Sequence, residues 1–520
     1  MRIWFKIFTP SIQLSKLPRS KNFLGLLSHP ARRKSSLVGP TEWNLLNESG
    51  KLEEIGWQSS SRSKLWRYNQ HYFDDLNASG WSDRLNWHNL LIVRWIDENP
   101  PFSGHGWDPY PTSIRIVNWI KWSSEVGCLP KKIEESLALQ VRWLEQRLEW
   151  HLLGNHLFVN AKALIFAGIY FEGVEAKKWF DRGIRILERQ VPEQILPDGA
   201  QFELTPMYHA LAVEDLLDLI NICEKNCNDI SQIFEWRSTI SKMLNWLRCM
   251  SHPDGTISFF NDAAFCVAPS NVELFSYANR LGFDCLEPVC GLTDLQDSGF
   301  VRLQSADIAL IADLGSVGPD YLPGHAHADT LSFELSFCGE RVFVNSGTSE
   351  YGAGEERQRQ RGTLAHNTVC VKGLNSSEVW SGFRVGARAK ITRRSVSNHD
   401  DFMYLFGEHD GYARTHCGLN HAREFSLYEK LLIVSDTISL PFPAEARLYC
   451  HPELKLEQTN PTSGILVTPR GRKLSWFFTG ADRVDLLDAT WHPEFGKSIK
   501  NKCIAAQFTQ KNCEFTLKWD

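Results

Sequence analysis

The sequence predicts an α+β protein of more than one domain, with a helical half followed by a strand-rich half. Three observations predict it. Apolar residues recur at helical spacing through roughly the first half of the chain. Near residue 290 the pattern changes to short, often alternating runs punctuated by Gly or Asn. At roughly 100 to 200 residues per domain, 520 residues exceed one small module. Helices in one block and strands in another point to segregated units rather than an alternating α/β sheet.

Residues 1 to about 60 are basic and carry Pro and Ser, with PARRKSS at 30–36, and read as an arm that packs on or leads into the main body. Ile133, Leu137, Val141, Leu144 and Leu148 then repeat at spacings of 4, 4, 3 and 4, which places them on one helical stripe. Similar amphipathic stretches occupy about 112–124, 156–172, 177–190, 207–224 and 232–249. Beyond 290, strands are predicted at 306–313 (ADIALIAD), 331–337 (LSFELSF), 341–347 (RVFVNSG), 367–373 (NTVCVKG), within 423–440 and at 473–480. There is no short-period repeat and no low-complexity tract.

Composition narrows the function classes. Hydrophobic residues at 43% and charged residues at 22% suit a globular protein with a large core. Lys plus Arg is 56 against 61 for Asp plus Glu, a formal net charge of −5 that points to no nucleic-acid partner, while leaving room for a locally basic cleft facing an anionic polymer. Nineteen Trp, 12 Tyr and 30 Phe fill cores in the first instance, and they are also compatible with rings stacked on sugars. Thirteen Cys, an odd number without CxxC spacing, argue against a disulfide framework or a zinc ribbon; the nearest pairs are Cys223 with Cys227 and Cys285 with Cys290. The first 20 residues are basic but have no uninterrupted apolar stretch and no small-residue cleavage site, so a cytoplasmic location is expected, with the periplasm as the alternative. No run of about 18 apolar residues occurs, so no membrane span is expected.

Four clusters set polar residues in apolar surroundings. In GNHLFVNAKAL, Asn155, His156 and Asn160 open an apolar helix, where Asn155 reads equally as a helix cap and His156 as a core histidine. In PDGAQFELTPMYHALAVEDLLDL, Pro197, Asp198 and Gly199 form a turn, Glu203 precedes a helix, and Tyr208 and His209 lie in its first turns. A tyrosine near cationic groups ionises more readily and can act as general base, then general acid; otherwise the phenol simply packs. In PGHAHADTLSFEL, His325 and His327 are two apart in extended chain and so face one side, a pattern that packing alone explains poorly. In RGTLAHNTVCVKG, His366 and Asn367 open a strand; His327 and His366 offer two imidazole metal ligands, and Asn345 stands at the third position of such a site.

These motifs, in this order and at these separations, resemble the heparinase II/III-like family of polysaccharide lyases, which includes heparan-sulfate and alginate lyases. The resemblance runs over roughly 60–480, from LWRYNQHYFD and GWDPYPTSIRIVNWIKW through NH, PMYH, GHAHAD and AHNTV. It implies an incomplete (α/α) toroid followed by an antiparallel β-sandwich, divided here as an arm over 1–60, a toroid over 61–290 and a sandwich over 291–520, with the cleft between toroid and sandwich. It implies a carbon–oxygen lyase that removes the C5 proton of a uronic acid and expels the 4-O-linked sugar. Asn155 and His156 match residues that neutralise the carboxylate and assist proton removal, Tyr208 matches the catalytic tyrosine, and His325 matches the histidine beside it. His327 and His366 match two ligands of a structural zinc, while Asn345 falls where the family often has Asp, which weakens the metal site. Arg67, Tyr68, His71, Trp107, Tyr110, Glu203, His209, Tyr351 and Arg361 are the candidate contacts to an anionic polysaccharide, with Arg suited to carboxylate or sulfate through its bidentate fork.

Two other classes compete. Helical toroids also host glycoside hydrolases built on a carboxylate pair, for which Asp198, Glu203, Asp254 and Asp262 are the available acids. A non-catalytic polysaccharide-binding or assembly protein would be expected to have lost Tyr208 or the histidines, and all are present. The product separates the three: unsaturated ends, new reducing ends, or neither.

Overall fold

The computed structural model describes residues 17–21, 27–227, 231–284, 290–415 and 418–520. The first 16 residues, which carry most of the expectation about location, and Cys285 lie outside the described residues. The chain divides into two compact units, one of Met1–Gln194, Leu211–Ser241 and Ala268–Asp284, the other of Ile195–Ala210, Lys242–Val267 and Cys285–Asp520. Division by sequence order at 60 and 290 does not separate these units, because they interleave. The reason is apolar burial. Ala200 and Leu204 from one segment, with Trp246, Met250 and Phe260 from another, bury against Leu295, Phe300 and Ile311 of the strand-rich half.

The first unit is helical: α1 (Lys64–Tyr72), α2 (Leu85–Glu98), α3 (Pro109–Val126), α4 (Lys131–Glu145), α5 (Gly154–Tyr170) and α6 (Val174–Gln194), then most of α7 (Pro206–Asn226), the first part of α8 (Gln232–Cys249), and α9 (Asn271–Arg280). The stripe Ile133, Leu137, Val141, Leu144 is buried along α4, and Leu148 is buried just past its end. Helix α5 is buried on nearly all sides from Leu157 to Ala167, which marks it as central to the unit. Close approach of α5 and α6 depends on two glycines. A Cβ on Gly168 would sit 2.7 Å from the Ala176 carbonyl, and one on Gly183 would sit 2.8 Å from that of Ala161.

The arm carries a three-stranded antiparallel sheet that the sequence reading did not anticipate: β1 (Leu37–Gly39), β2 (Glu42–Leu45) and β3 (Glu48–Lys51). Its alternation is real but too short to register as a strand, with Trp43 and Leu45 inward and Glu42 and Asn44 outward. The arm docks through charge. Arg33 donates from both terminal nitrogens to Glu214, each at 2.7 Å, a bidentate geometry that holds direction as well as charge. Beneath it, Lys121 and Lys162 are buried against Asp218, at 2.9 and 2.7 Å.

Every pairing between named strands of the second unit is antiparallel. β4 (Gly291–Leu295), β5 (Phe300–Gln304), β6 (Ile308–Asp313), β7 (Phe333–Phe337) and β8 (Glu340–Phe343) form a meander in chain order. Short β9 (Val369–Val371) ends a four-stranded sheet, and β10 (Val379–Trp380) with β11 (Arg384–Val385) makes a separate hairpin. The remaining strands are β12 (Ile391–Asn398), β13 (Met403–His409), β14 (His421–Leu427), β15 (Leu431–Ile438), β16 (Ala444–Tyr449), β17 (Lys455–Asn460), β18 (Ser463–Val467), β19 (Lys473–Thr479), β20 (Arg483–Trp491), β21 (Ile499–Phe508) and β22 (Asn512–Lys518). They give an eight-stranded sheet, β12-β13-β14-β15-β22-β19-β18-β17, and complete the four-stranded one, β20-β21-β16-β9. The sheets share one core: Phe333 meets Phe425 at 5.4 Å between ring centroids, Phe343 meets Phe515 at 5.7 Å, and Leu448 and Ile504 join them. Every strand predicted from the sequence overlaps one of these. No helix among the described residues is long and apolar enough to cross a membrane.

Each unit holds a buried neutral histidine. His71 accepts a hydrogen bond from the Trp95 indole at 3.0 Å and donates to the Trp57 carbonyl at 3.1 Å. His209 accepts from the Gln201 amide at 3.1 Å and donates to the Met243 carbonyl at 2.9 Å. Burial lowers the pKa of each from 6.5 to about 3, since a proton on the accepting nitrogen would break the bond it receives. The unfolded chain exposes both rings and binds protons below about pH 6.5, so their contribution is complete above that pH and is lost as pH falls toward 3. Thermal unfolding should show stability declining through this window, each histidine contributing up to about 1.4 kcal/mol per pH unit. A flat midpoint between pH 7 and 4.5 would contradict these assignments.

Candidate active site

In the second unit, Thr205 precedes α7 and its hydroxyl accepts from the Tyr208 amide at 2.9 Å, fixing the helix start and placing Tyr208 in the first turn. The Tyr208 ring lies 4.1 Å, centroid to centroid, from that of His325. Its hydroxyl shares a 3.0 Å hydrogen bond with the hydroxyl of Tyr351. Burial, with Asp262 nearby, pushes the Tyr351 phenol well above its ordinary pKa, which favours its protonated form. His325 donates from Nδ1 to Asp262 at 2.8 Å, which fixes its tautomer and leaves Nε2 3.5 Å from Glu203.

Asp262 is the hub of this cluster. It is fully buried. Its Oδ2 accepts from His325 and from Arg357 Nη2 at 2.7 Å, and its Oδ1 accepts from His327 Nε2 at 2.8 Å and from Arg357 Nη1. Burial alone would raise the carboxyl pKa, but the charge of Arg357 and the bonds from His325, His327 and Arg357 outweigh it and hold Asp262 well below 3.8. Asp262 is therefore a fixed negative charge that aligns two imidazoles.

His327 and His366 were the imidazoles expected to ligate zinc. With Nε2 given to Asp262, His327 accepts at Nδ1 from His366 Nε2, 3.3 Å away. That spacing also equals the separation of about 3.3 Å between two nitrogens in a tetrahedral zinc site with bonds of about 2.0–2.1 Å. Asn345 Oδ1 accepts from the Asn367 amide at 3.0 Å and its Nδ2 donates to the Phe259 carbonyl at 2.9 Å, so both ends of the carboxamide are committed to backbone. Among the described residues no group of three or more His, Cys, Asp or Glu could hold a metal ion. Asn345 held in this way is a poor third ligand for zinc, and burial lowers the pKa of His366 and His327; we propose that hydrogen bonds rather than a metal hold the pair. A chelator should accordingly leave the unfolding midpoint unchanged, since a metal bound only to the folded state would stabilise it by mass action. A drop in the midpoint on chelation would reverse this conclusion.

In the first unit, the Asn155 amide donates to the Tyr110 hydroxyl at 3.2 Å, and the Tyr110 and His156 rings lie 4.7 Å apart. His156 Nδ1 lies 3.2 Å from Glu149 Oε1, an ion-pair distance not aligned as a hydrogen bond. Asn160 holds Glu149 in place, donating to its Oε2 at 3.2 Å and accepting from its amide at 2.8 Å. Asn155 and His156 are both partly exposed. Arg67 and Tyr68 form a neighbouring group, Arg67 against His105 at 2.9 Å and Tyr68 donating to Asp108 at 2.7 Å.

Four of the expected saccharide contacts are instead core residues. His71 and His209 are fully buried with both ring nitrogens committed, as described above. Trp107 is buried and donates to the Asn99 carbonyl. Arg361 is fully buried, and its guanidinium donates to the carbonyls of Ala326, Ser381 and Arg384. Glu203, 3% exposed, accepts from Gln201 and faces His325. Three residues with larger structural claims were not singled out: Asp262, seen only as one acid among several, Arg357 and Glu149. A usable signal existed for the arginines. Arg357 and Arg361 are four apart on helix α10 (Glu355–Arg361), hence on one face, and both are buried while Arg359 between them is partly exposed.

Two family models match the chain: Heparinase II/III N-terminus over residues 133–279, and Heparinase II/III-like, C-terminal over residues 288–520. The chain belongs to the heparinase II/III-like family. A heparin-sulfate lyase of Bacteroides stercoris is 31% identical over 249 residues, spanning 44% of this chain and 37% of that protein. One of Pedobacter heparinus is 26% identical over 390 residues, spanning 69% of this chain and 56% of that protein. The matched regions thus cover between about a third and somewhat over half of those relatives. Among solved structures, a crystal structure of heparinase III superposes with a TM-score of 0.71 at 17% identity, over 90% of this chain and 80% of that one. A second heparinase III gives 0.67 at 19%, over 90% and 81%. The likeness carries the fold: an incomplete (α/α) toroid followed by an antiparallel β-sandwich, as the family's motifs implied.

Proposed function

We propose that this chain is a polysaccharide lyase that cleaves a uronic-acid-containing polymer by β-elimination. The observation that carries the reading is the proton-handling group of Tyr208, Tyr351 and His325, with two phenols 3.0 Å apart under an imidazole fixed by a buried carboxylate. Removing the C5 proton puts a second negative charge beside the uronate carboxylate, so the reaction needs donors for that carboxylate and a base near C5. Asn155 and His156 are assigned to the carboxylate. Tyr208, once deprotonated, takes the C5 proton; the C4–O bond breaks as the C4–C5 double bond forms, and the phenol returns a proton to the leaving oxygen. This double role requires the two bonds to be syn; for an anti arrangement His156 is the base and Tyr208 the acid. The zinc expected from the family's motifs has no part in these steps.

Family membership supports the class, and the printed names of the relatives make heparan-type polymers the first to test, followed by alginate and bacterial uronate polymers. Three of the four acids available to the hydrolase reading are held by other groups, which leaves Glu203 without a carboxylate partner for a pair. Asp198 accepts from the Ser298 amide and hydroxyl, each at 2.8 Å. Asp254 is held by Arg341 and Thr256, and Asp262 by Arg357 and two histidines. The test is ultraviolet absorbance during incubation with each polymer. A rise marks unsaturated uronyl ends and the polymer that gives it; new reducing ends without absorbance would overturn the proposal.

A further inference from the structure

The β10–β11 hairpin was not among the site elements expected from the sequence, yet two buried arginines fasten it to the Tyr208 cluster. Arg357, paired to Asp262, also donates from Nη2 to the Gly382 carbonyl at 3.1 Å. Arg361 donates to Ser381 and Arg384 carbonyls at 3.2 Å each, and to Ala326, next to His325, at 3.0 Å. Close packing seats the turn further: a Cβ on Gly382 would lie 2.6 Å from the Gly352 carbonyl, beside Tyr351. Satisfying several carbonyls of one short turn with fully buried guanidinium groups is a large commitment of charge, and its effect is to hold the turn residue Phe383 in one place.

That place is beside the phenols. The Phe383 ring meets Tyr351 at 5.1 Å and His325 at 5.6 Å, both T-shaped, and the Arg357 guanidinium lies 5.5 Å from its centroid. Even so, Phe383 is 45% exposed. Leaving that much aromatic surface in water is unfavourable, and here it sits on a rigid support one ring away from Tyr208, whose centroid is 4.1 Å from His325. A pyranose presents an apolar face of C–H groups that matches such a ring.

We propose that Phe383 is a saccharide-stacking residue, binding the sugar next to the uronate on which Tyr208 acts. The assignment rests on the lyase reading for its substrate, but the contact itself is one of binding. Phe383→Ala should raise KM for the cleaved polymer roughly tenfold, the factor that about 1.4 kcal/mol represents, with kcat little changed. Phe383→Tyr and Phe383→Trp should keep the wild-type KM. Phe383→Leu, which retains apolar bulk without a ring face, should behave as Phe383→Ala, and this pair guards against a merely structural loss. Affinity for the polymer, measured by calorimetry on the same variants, gives the readout without turnover. Polymer binding by the wild type that weakens in Phe383→Ala, with no unsaturated product, would sustain the stacking role and sink the lyase reading. An active wild type whose KM and affinity are unchanged in Phe383→Ala, or equally well served by Phe383→Leu, would overturn the stacking role alone.

Discussion

Tyr208→Phe is expected to lower kcat on a cleaved uronate polymer by about 10²–10⁴-fold, the range that a positioned acid–base group supplies, with KM close to wild type. The substitution keeps the ring that packs on His325 and removes the hydroxyl bonded to Tyr351, so the fold and the stacking survive while the proton carrier is lost. Tyr351→Phe should cost less, because burial favours the protonated form of that phenol and its part is to donate to Tyr208 rather than to accept a proton from carbon. Initial rates by ultraviolet absorbance, with the unfolding midpoint as control, separate the outcomes. Full activity in Tyr208→Phe would move the base and acid roles elsewhere and defeat the assigned mechanism even if elimination itself were observed.

What the sequence disclosed follows from how local each signal is. His325 and His327 were legible because two imidazoles two residues apart in extended chain must share a face, and Tyr208 because the PMYH motif puts a phenol in the first turns of an amphipathic helix; both arguments need only a few neighbouring residues. The helical stripe through Ile133 and Leu144 and the strands over 306–313 and 473–480 were legible for the same reason. Asp262 was not, because nothing in FFND distinguishes it from other acids until residues 325, 327 and 357 converge on it. Arg357 and Arg361 sit in a run of charged and amide residues that reads as a solvated face, and only their four-residue spacing hints that one side of that short helix is buried. His71 and His209 erred the other way: a histidine in an aromatic or catalytic-looking motif looks reactive, whereas both bridge an N–H donor and a carbonyl in the core. The interleaving of segments 195–210 and 242–267 with the strand-rich unit was invisible because their apolar partners lie far along the chain.

Asp262→Asn should damage stability and turnover together, and a second substitution should separate the two. The neutral amide leaves the Arg357 guanidinium, fully buried, without its counter-charge; breaking a buried pair from one side costs about 3–5 kcal/mol, which denaturant unfolding of the strand-rich unit would register. The same change weakens the acceptor that fixes the tautomers of His325 and His327, so kcat should fall even in the fraction that remains folded. The carboxylate's depressed pKa adds a pH signature to the wild type: its contribution is complete above the unfolded value near 3.9 and is lost as pH falls below it, so the wild type should lose part of its advantage over Asp262→Asn under strong acid. In Asp262→Leu combined with Arg357→Met, no buried charge is left unpaired. Replacing an ion pair by apolar groups of similar size is often neutral or stabilising, so the double variant should recover much of the lost stability. Turnover should stay low, because no carboxylate then aligns His325 beside Tyr208. Recovery of both stability and kcat would show that Asp262 only offsets the charge of Arg357 and has no part in positioning the histidine.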